Sequence, residues 1–432
     1  MPNRQKASED NSKTMTEKLL ARASGRNAVS VGDVLTAKID VVSIPDSVVD
    51  DWLIDNNLKA WDPKRVVFSF DHLPPRATGA NPKWWRDVEQ SREFAQKIGV
   101  PRENIYDIGR HGLSHQVPAE EGWVLPGTFY LSSDTQGATM GALNCFAMPG
   151  IFSTFPALAT GEMWMVVPEA VRIHLTGEMP KGILGKDIYF RLLQDLRGRA
   201  DSRVLEFGGP GLKSLPIDVR MGVANGSNHI GAITSVFEPD QRLLDYVKPR
   251  AREPFKPVTP DRNAKYVDSY EYDLSTFEPL VSGPGDISRI QPLSQVRGTK
   301  IHAAYIGSCS GGRMEDLKLA AEVLDGRKIS PDVRLVVTPI SSNVQRDATE
   351  KGVLRTLLRA GAAVTSPGCG ACHFGNDTPL RLGDGETCIT ASVENYAGRM
   401  GSIKANIYAA NAAIVAASAL TGEITDPRGY FK

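Results

Sequence analysis

The feature that most constrains the fold is a repeated alternation between short apolar runs and amphipathic stretches. Five short runs of β-branched or apolar residues end in small or polar residues, as buried strands do: KRVVFSFDH, TFYLSSD, KIHAAYIGSC, VRLVVTP and AAVTSPGC. Other stretches have helical periodicity: SREFAQKIG, DIYFRLLQDLRG, MEDLKLAAEVLDG and ATEKGVLRTLLRAG. This alternation predicts α/β domains with largely parallel sheets.

The length of 432 residues is two to three times that of a typical domain, so more than one domain is expected. We predict a disordered polar tail at 1–14, followed by domains at 15–165, 166–298 and 299–432. The segment 238–298 is rich in Pro, Asp and charge and has little periodicity. It is predicted to be a long surface connection within the second domain.

The charge balance argues against two classes of partner. The 50 Lys and Arg residues equal the 50 Asp and Glu residues, so there is no global electrostatic case for nucleic acid or an anionic membrane. No apolar run approaches the roughly 20 residues of a membrane span, and the N-terminal segment lacks the apolar core of a signal peptide. We therefore expect a cytoplasmic protein.

Three of the five cysteines lie in two glycine-rich loops. Cys309 lies in GSCSGGRMEDL, between a predicted strand and a predicted helix, and Cys369 and Cys372 lie in SPGCGACHFGND. Glycines allow close backbone approach and N–H donation to sulfur, so the three thiols can converge on one metal centre. A C-x-x-C pair alone also permits a redox dithiol or half of a zinc site. The fourth zinc ligand would then be Cys388 or His373.

Polar residues also follow the predicted strands. Asp71, Asp134, Cys309 and Cys369 all lie at strand ends. In parallel α/β sheets ligands bind outside the carboxyl ends of the strands. These residues therefore predict a site at that edge.

Further motifs follow one another along the chain. They are DH at 71–72, LSHQV at 113–117, LPGTFYLSSDTQGATMGALNCFA at 125–147, VPEAVRIHLTGEMPKGILGKD at 167–187, GSCSGGRMEDL at 307–317, SPGCGAC at 366–372, NYAGRMG at 395–401 and TGEITDPR at 421–428. In this order they resemble the aconitase superfamily, most closely the large subunits of 3-isopropylmalate dehydratase and homoaconitase. The resemblance implies three α/β/α domains around a cluster site, without the swivelling fourth domain.

The resemblance also implies a cofactor and a reaction. Cys309, Cys369 and Cys372 match the ligands of a [4Fe-4S] cluster, whose remaining iron would bind the hydroxyl and a carboxylate of a small hydroxy acid. Asp71 and His72 match a pair that handles the departing hydroxyl, because a carboxylate raises the basicity of an imidazole and fixes its orientation. We therefore expect an iron-sulfur hydro-lyase.

Other matched positions complete the expected site. His115 and Asp134 match the family's other active-site histidine and aspartate, and Asn225 matches an asparagine near the cluster. Arg399 matches an arginine that grips a substrate carboxylate, a role that suits its two parallel hydrogen bonds. The two remaining cysteines match no ligand position and are predicted to be core residues.

Several positions depart from the family pattern. Gln136 stands where the family usually has histidine, His229 where it has glutamate, and Glu394 where it has a second arginine; Ile44-Pro45-Asp46 stands where His or Gln precedes an acidic residue. An unpaired buried charge at Glu394 would cost several kcal/mol. Either Glu394 pairs with a residue such as His229 or Arg313, or the substrate carries a neutral or cationic group there. We expect a changed substrate specificity; the alternative is a genuine 3-isopropylmalate dehydratase or homoaconitase.

The resemblance implies a partner as well. In the full fold the swivelling domain supplies a serine base and a substrate-binding arginine, whereas this chain ends at TGEITDPRGYFK, about where the third domain should finish. A separate small subunit is therefore expected. Two other hypotheses stay open: a cluster-bearing regulatory or RNA-binding protein, and a non-catalytic scaffold that holds zinc.

Overall fold

The structure, a computed structural model, describes residues 12–46, 58–72, 82–151, 153–373 and 380–432. In these ranges the helices are α1 (Met15–Ser24), α2 (Pro82–Lys97), α3 (Val117–Glu120), α4 (Thr154–Thr160), α5 (Gly185–Leu196), α6 (Ile217–Asn225), α7 (Ser227–Ile230), α8 (Gln241–Val247), α9 (Met314–Leu324), α10 (Ser342–Glu350), α11 (Val353–Ala360) and α12 (Ala412–Thr421). The strands are β1 (Val34–Lys38), β2 (Val41–Pro45), β3 (Val66–Ser69), β4 (Ile105–Tyr106), β5 (Phe129–Ser132), β6 (Phe146–Pro149), β7 (Glu162–Val166), β8 (Ala170–Thr176), β9 (Val204–Gly208), β10 (Thr234–Phe237), β11 (Asp268–Asp273), β12 (Leu280–Ser282), β13 (Ile290–Pro292), β14 (Ala303–Gly307), β15 (Arg334–Thr338), β16 (Ala363–Val364), β17 (Thr387–Thr390) and β18 (Asn406–Ala409).

The strands of the described chain form three larger sheets and a small ribbon. The first sheet has the order β4-β3-β2-β5-β6 and the second the order β10-β9-β8-β11, and both are wholly parallel. The third has the order β13-β12-β18-β17-β14-β15-β16 and is antiparallel only around β12. Strands β1 and β7 form an antiparallel ribbon. The predicted α/β class with largely parallel sheets is confirmed.

The central strands are buried along their whole length. Every residue of β2, β3, β5, β9 and β14 is buried, which explains why β3, β5 and β14 read as apolar runs rather than alternating patterns. One hydrophobic cluster extends from Val41 in the first sheet to Ile424 beyond the third. This core therefore joins all three sheets. The domain boundaries at 165 and 298 stay a prediction.

The segment 238–298 is not the long surface connection that its composition predicted. It contains α8, and its strand β11 pairs in parallel with β8 at the edge of the second sheet. Strands β12 and β13 join the third sheet, although they lie inside the predicted second domain. Strands β11 and β13 lie at sheet edges and consist mostly of exposed or half-buried residues, so they lack the apolar run by which central strands are recognised.

Two predicted boundaries also change. The stretch ATEKGVLRTLLRAG spans the end of α10 and all of α11, because Gly352 between them has a left-handed backbone with φ of 74°. Residues 1–11 of the predicted tail lie outside the described residues. Thr14, however, caps α1, and the N–H of Lys13 donates to Asp261 over 2.9 Å, so residues 13 and 14 are part of the fold.

None of the helices in the described ranges is long and apolar enough to cross a membrane.

Candidate active site

Three carboxyl groups gather where the strands of the first sheet end. Strands β2, β3 and β5 are adjacent and parallel; Asp46 follows β2 directly, while Asp71 and Asp134 come two residues after β3 and β5. Nδ1 of His72 lies 2.5 Å from Oδ1 of Asp71, and Nε2 of His72 lies 3.8 Å from Oδ2 of Asp134. Parallel topology therefore brings the predicted acid–base residues to one edge.

Mutual electrostatic effects decide the protonation of this cluster. Burial lowers the pKa of His72, but the charge of Asp71 and the hydrogen bond to it outweigh burial and raise that pKa to about 10. The charge of His72 likewise outweighs burial and holds the pKa of Asp71 below its usual range. At neutral pH the pair is therefore an imidazolium with a carboxylate.

Asp46 is a neighbour of this pair that was not among the predicted site residues. Burial, and then the charge of Asp71, raise the pKa of Asp46, so this carboxyl carries a proton next to the ionised Asp71. Its Oδ1 accepts the backbone N–H of His72 over 3.1 Å. Its position immediately after a buried strand is the sequence feature that could have identified Asp46 as a site residue.

His115 lies on the other side of Asp134. Its Nε2 is 3.7 Å from Oδ1 of Asp134, and burial lowers the pKa of the imidazole, which is therefore neutral. Its Nδ1 is buried and has no hydrogen-bond partner within the described chain. The neighbouring Ser114 donates its backbone N–H to Oδ2 of Asp71 over 2.9 Å, which ties the LSHQV segment to the pair.

The first cysteine loop follows β14 as a single 3₁₀ turn, Ser308–Ser310. Ser308 has φ of 63°, a left-handed conformation that costs a non-glycine residue free energy. This conformation leaves the Ser308 hydroxyl 3.8 Å from the sulfur of Cys309 and 3.7 Å from the sulfur of Cys369. Backbone strain at this position thus accompanies the approach of the two loops.

The second cysteine loop ends in the 3₁₀ turn Gly370–Cys372. The hydroxyl of Tyr305 donates to the carbonyl of Cys369 over 3.0 Å, and a Cβ at Gly370 would collide with that hydroxyl. The N–H of Cys369 donates to the carbonyl of Asp71 over 2.8 Å. A direct backbone contact therefore joins the cysteine loop to the acid–base pair.

The three thiols are spaced more widely than the ligands of a single zinc ion. Their side chains are buried, yet in the described chain the three sulfur atoms do not all lie within 4.8 Å of one another. Zinc–sulfur bonds of about 2.3 Å in a tetrahedron require sulfurs roughly 3.8 Å apart. Of the two predicted fourth zinc ligands, Cys388 lies within β17, and Nδ1 of His373 is occupied 3.1 Å from the carbonyl of His72.

The charge of Arg399 acts on this loop. Its Nη2 donates to the sulfur of Cys372 over 3.5 Å, and its Nη1 donates to the hydroxyl of Tyr396 over 2.7 Å. A hydrogen bond from Cys369 and the guanidinium charge outweigh burial and lower the pKa of the Cys372 thiol. Thiolates are the form in which cysteine binds metal, so this arrangement suits a ligand.

The residues that depart from the family pattern form a second imidazole–carboxylate pair. Nε2 of His229 lies 2.8 Å from Oε1 of Glu394, and Nδ1 of His229 lies 2.6 Å from the hydroxyl of Tyr189. His229, not Arg313, is thus the partner of Glu394; Arg313 instead donates Nε to Gln116 over 3.0 Å. The hydrogen bond and charge of His229 outweigh burial and lower the pKa of Glu394.

Tyr189 was not predicted as a site residue. Burial raises its pKa well above the usual value, so the phenol stays protonated and donates to His229. No motif indicated it. Tyr189 and His229 are 40 residues apart in the sequence and come together only because α5 packs on α7.

Two further predicted residues belong to or contact the 3₁₀ segment that follows Asp134, Thr135–Leu143. Nδ2 of Asn225 donates to Thr139 over 3.0 Å, while its Oδ1 is buried and lacks a partner within the described residues. The backbone N–H of Gln136 donates to Asp134 over 2.7 Å, but its side-chain carbonyl accepts from Thr135. The half-buried amide thus has a hydrogen-bond partner within its own turn.

A cavity of about 1020 Å³ lies elsewhere, between the edges of the second and third sheets. Its lining includes Arg191, Tyr270, Phe277, Arg297 and Arg428, and contains none of the predicted site residues. Its walls carry charges of both signs and no cluster of thiols or imidazoles. The chemistry-bearing residues are at the strand ends instead.

Over most of its length the chain is similar to known proteins. A sequence profile of the aconitase family (aconitate hydratase) matches residues 82–297 and 286–422. The 3-isopropylmalate dehydratase large subunit 1 of Methanopyrus kandleri is 39% identical over 425 residues, which cover 97% of this chain and 99% of that relative. A probable methanogen homoaconitase large subunit of Methanothermobacter thermautotrophicus is 36% identical, covering 96% of this chain and 97% of its own length. The 3-isopropylmalate dehydratase large subunit of Mycolicibacterium smegmatis is 38% identical, with the same coverage.

The fold, the site and these similarities define an enzyme of the hydro-lyase class. The chain belongs to the aconitase family. The predicted family, fold class and enzyme class are therefore confirmed.

Proposed function

We propose that this chain is the large subunit of an iron-sulfur hydro-lyase that removes water from, or adds water to, a small 2- or 3-hydroxy carboxylic acid. The observation that carries the proposal is the contact between the N–H of Cys369 and the carbonyl of Asp71. It joins a loop of buried thiols to a strand end that carries a proton-donating imidazole. An elimination needs such a donor beside the group that holds the substrate.

Cys309, Cys369 and Cys372 are the residues that would hold the cluster. When bound, a [4Fe-4S] cluster with three protein ligands supplies an iron without a protein ligand, which serves as a Lewis acid for a hydroxyl and a carboxylate. The spacing of the sulfurs and the unpartnered buried Nδ1 of His115 and Oδ1 of Asn225 support this cofactor. Polar atoms without protein partners inside a site are suited to a ligand.

The chain's own residues supply the proton and bind the substrate. The imidazolium of His72 donates a proton from Nε2 to the departing hydroxyl, which leaves as water, and Asp71 keeps the ring oriented and charged. Arg399 anchors a substrate carboxylate through its guanidinium. A base on a second polypeptide takes the proton from the adjacent carbon.

That second polypeptide is a separate small subunit. The relatives that this chain matches over 96–97% of its length are named large subunits, which supports a two-subunit enzyme. The isolated chain, loaded with its cluster, should therefore show no dehydratase turnover until a small subunit is added. Full turnover by the isolated chain would overturn this part of the proposal. The cytoplasmic location stays a prediction.

The substrate differs from that of a 3-isopropylmalate dehydratase. Glu394 and His229 place a carboxylate where the family usually has an arginine, and an exposed fraction of 21% leaves the Glu394 side chain open to a ligand. A negative charge disfavours a substrate carboxylate at this position and favours a neutral donor or a cation. The alternative, a genuine 3-isopropylmalate dehydratase or homoaconitase, is supported by the names of the relatives.

Cluster analysis tests the cofactor. Anaerobically prepared protein should contain iron and sulfide, and Cys309→Ser, Cys369→Ser or Cys372→Ser should each abolish their retention. Cys145→Ser and Cys388→Ser are matched controls, because both thiols are buried outside the two loops. Loss of all iron from either control, or zinc without sulfide in the wild type, would contradict the ligand assignment.

A substrate panel tests the specificity. The reconstituted two-subunit enzyme should show little activity with citrate, isocitrate and 3-isopropylmalate. It should turn over a hydroxy acid with fewer carboxylates or with a larger neutral or basic substituent. Turnover of 3-isopropylmalate at ordinary enzymatic rates would establish the alternative and show that Glu394 does not contact the substrate.

A further inference from the structure

A third carboxyl group lies beside the acid–base pair and has no role in the mechanism above. Asp46, the residue directly after β2, is 1% exposed, and Asp71, two residues after the neighbouring strand β3, is fully buried. An oxygen of each carboxyl group and a ring nitrogen of His72 all lie within 4.8 Å of one another. Two buried carboxyl groups beside one imidazole are costly unless they share a proton.

Asp46 is hydrogen-bonded to both residues of the pair. Its Oδ1 accepts the backbone N–H of His72 over 3.1 Å, and its side chain is hydrogen-bonded to the side chain of Asp71. A hydrogen bond between two carboxyl groups requires a proton on one of them. A single carboxyl group thus contacts the backbone of the imidazole residue and the carboxylate that orients its ring.

The contacts of Asp71 indicate that the shared proton belongs to Asp46. Oδ1 of Asp71 lies 2.5 Å from Nδ1 of His72, and its Oδ2 accepts the backbone N–H of Ser114 over 2.9 Å. Both oxygens of Asp71 therefore face nitrogen donors, and an ionised carboxyl group, which only accepts, suits that position. Burial and the charge of Asp71 raise the pKa of Asp46 to about 8, in agreement with a protonated Asp46 at neutral pH.

We propose that Asp46 is a positioning residue for His72: its carboxyl group donates a hydrogen bond to Asp71 and accepts one from the backbone of His72. The two contacts fix the carboxylate and the backbone that together set the direction of the imidazole ring. This inference rests on the proposed function, because His72 is the acid of that reaction. Burial keeps Asp46 away from the substrate, so it acts only through the pair.

The proposal predicts which replacements of Asp46 keep the ring in place. The amide of Asn has a donor and an acceptor and nearly the shape of a protonated carboxyl group. Asp46→Asn should therefore keep both contacts, whereas Asp46→Leu should lose both. Asp71→Asn replaces a carboxylate that only accepts, so it should disturb the ring even though the change in side chain is the same.

NMR spectra of the imidazole nitrogens report these contacts in the cluster-free protein. The signals of His72 are identified by their absence from the spectrum of His72→Asn. At pH 7 they should stay at their wild-type positions in Asp46→Asn and should shift in Asp46→Leu and in Asp71→Asn.

Ser91→Ala is the matched control for packing around Asp46. The hydroxyl of Ser91 donates to the backbone carbonyl of Asp46 over 2.9 Å and does not involve the carboxyl group. Its removal should lower the melting temperature and leave the ring signals of His72 unchanged. Ring signals that shift in Ser91→Ala as far as in Asp46→Leu would show a purely structural effect and would overturn the inference.

Activity of the reconstituted enzyme gives a second readout. Asp46→Leu should lower kcat at least about tenfold, because two buried hydrogen bonds are lost, and Asp46→Asn should restore most of that loss. KM should change little in either variant, since Asp46 does not contact the substrate. A change confined to KM would contradict the positioning role.

Two further results would overturn the inference. Equal shifts of the ring signals in Asp46→Asn and Asp46→Leu would show that Asp46 acts as a charged carboxylate, and wild-type signals in Asp46→Leu would show that it does not position the ring. The spectra require neither cluster nor substrate. If the reconstituted enzyme has no hydro-lyase activity, the proposed function fails, while the ring signals still decide the contacts of Asp46.

Discussion

Two imidazole–carboxylate pairs lie at the candidate site, and their imidazoles are similarly exposed, at 16% for His72 and 15% for His229. The carboxylates differ: Asp71 is fully buried, whereas Glu394 keeps 21% of its side chain exposed. In the first pair only the imidazole can therefore meet a ligand.

The two imidazoles also differ in whether a ring nitrogen lacks a hydrogen-bond partner. Nε2 of His72 is 3.8 Å from Asp134, beyond hydrogen-bond distance, so it remains available as a proton donor. Both nitrogens of His229 are occupied, by Tyr189 and by Glu394. In the proposed reaction the first pair would deliver a proton, while the second would present a carboxylate whose position is held by the ring. The proposal thus assigns the same type of pair to chemistry in one place and to substrate recognition in the other.

Removal of the first imidazole should produce the largest effect. His72→Asn should lower kcat of the reconstituted enzyme by about 10²- to 10⁴-fold, because the departing hydroxyl loses its acid. His229→Asn is the matched control and should lower kcat by less than about tenfold. Iron content is measured in both variants, and equal losses of kcat at equal iron content would contradict the division of roles.

Neutralisation of the second carboxylate should act on binding. Glu394→Gln should raise KM for the true substrate by about 10- to 100-fold, since a hydrogen bond to a charged group contributes about 1.5–3 kcal/mol, and should change kcat little. Glu423→Gln, an exposed carboxylate far along the chain, controls for net charge. A loss confined to kcat would place Glu394 in the chemical step instead.

Removal of the Tyr189 hydroxyl should have a smaller effect of the same kind. Tyr189→Phe deletes one neutral hydrogen bond to Nδ1 of His229, which corresponds to about a two- to tenfold rise in KM. The Glu394→Gln, Tyr189→Phe double variant should be no worse than Glu394→Gln alone, because Tyr189 acts only through the pair. Additive losses in the double variant would mean that Tyr189 has an independent role.

The second pair should also have a modest signature in stability. The pKa of Glu394 is lowered in the folded protein, so its stabilising contribution is present above the pKa of the unfolded chain and is lost as the pH falls through the folded value. Wild type should therefore unfold at higher denaturant than Glu394→Gln at pH 7, and the difference should vanish in acid. A difference that is constant with pH would indicate lost packing rather than a lost charge.

Much of the framework follows from local sequence. Continuous apolar runs predicted β3, β5, β14 and β15, because a strand buried on both faces cannot alternate, and small or polar residues marked their ends. Ordered motifs indicated the family and the enzyme class. The edge strands β11 and β13 escaped prediction because their exposed and half-buried side chains remove the apolar signal, and β12 escaped because it has only 3 residues.

The sequence by itself determined which residues lie at strand ends. Asp71, Asp134 and Cys309 each follow a short apolar run, and such a run predicts a buried strand. Only the tertiary structure decided their partners. The packing of α5 on α7 joins Tyr189 to His229, and a residue 165 positions further along the chain completes that pair. Hydrogen bonds and charge interactions act over a few ångströms in space, whereas sequence patterns report only neighbours along the chain, so such pairings emerge only when the sheets pack together.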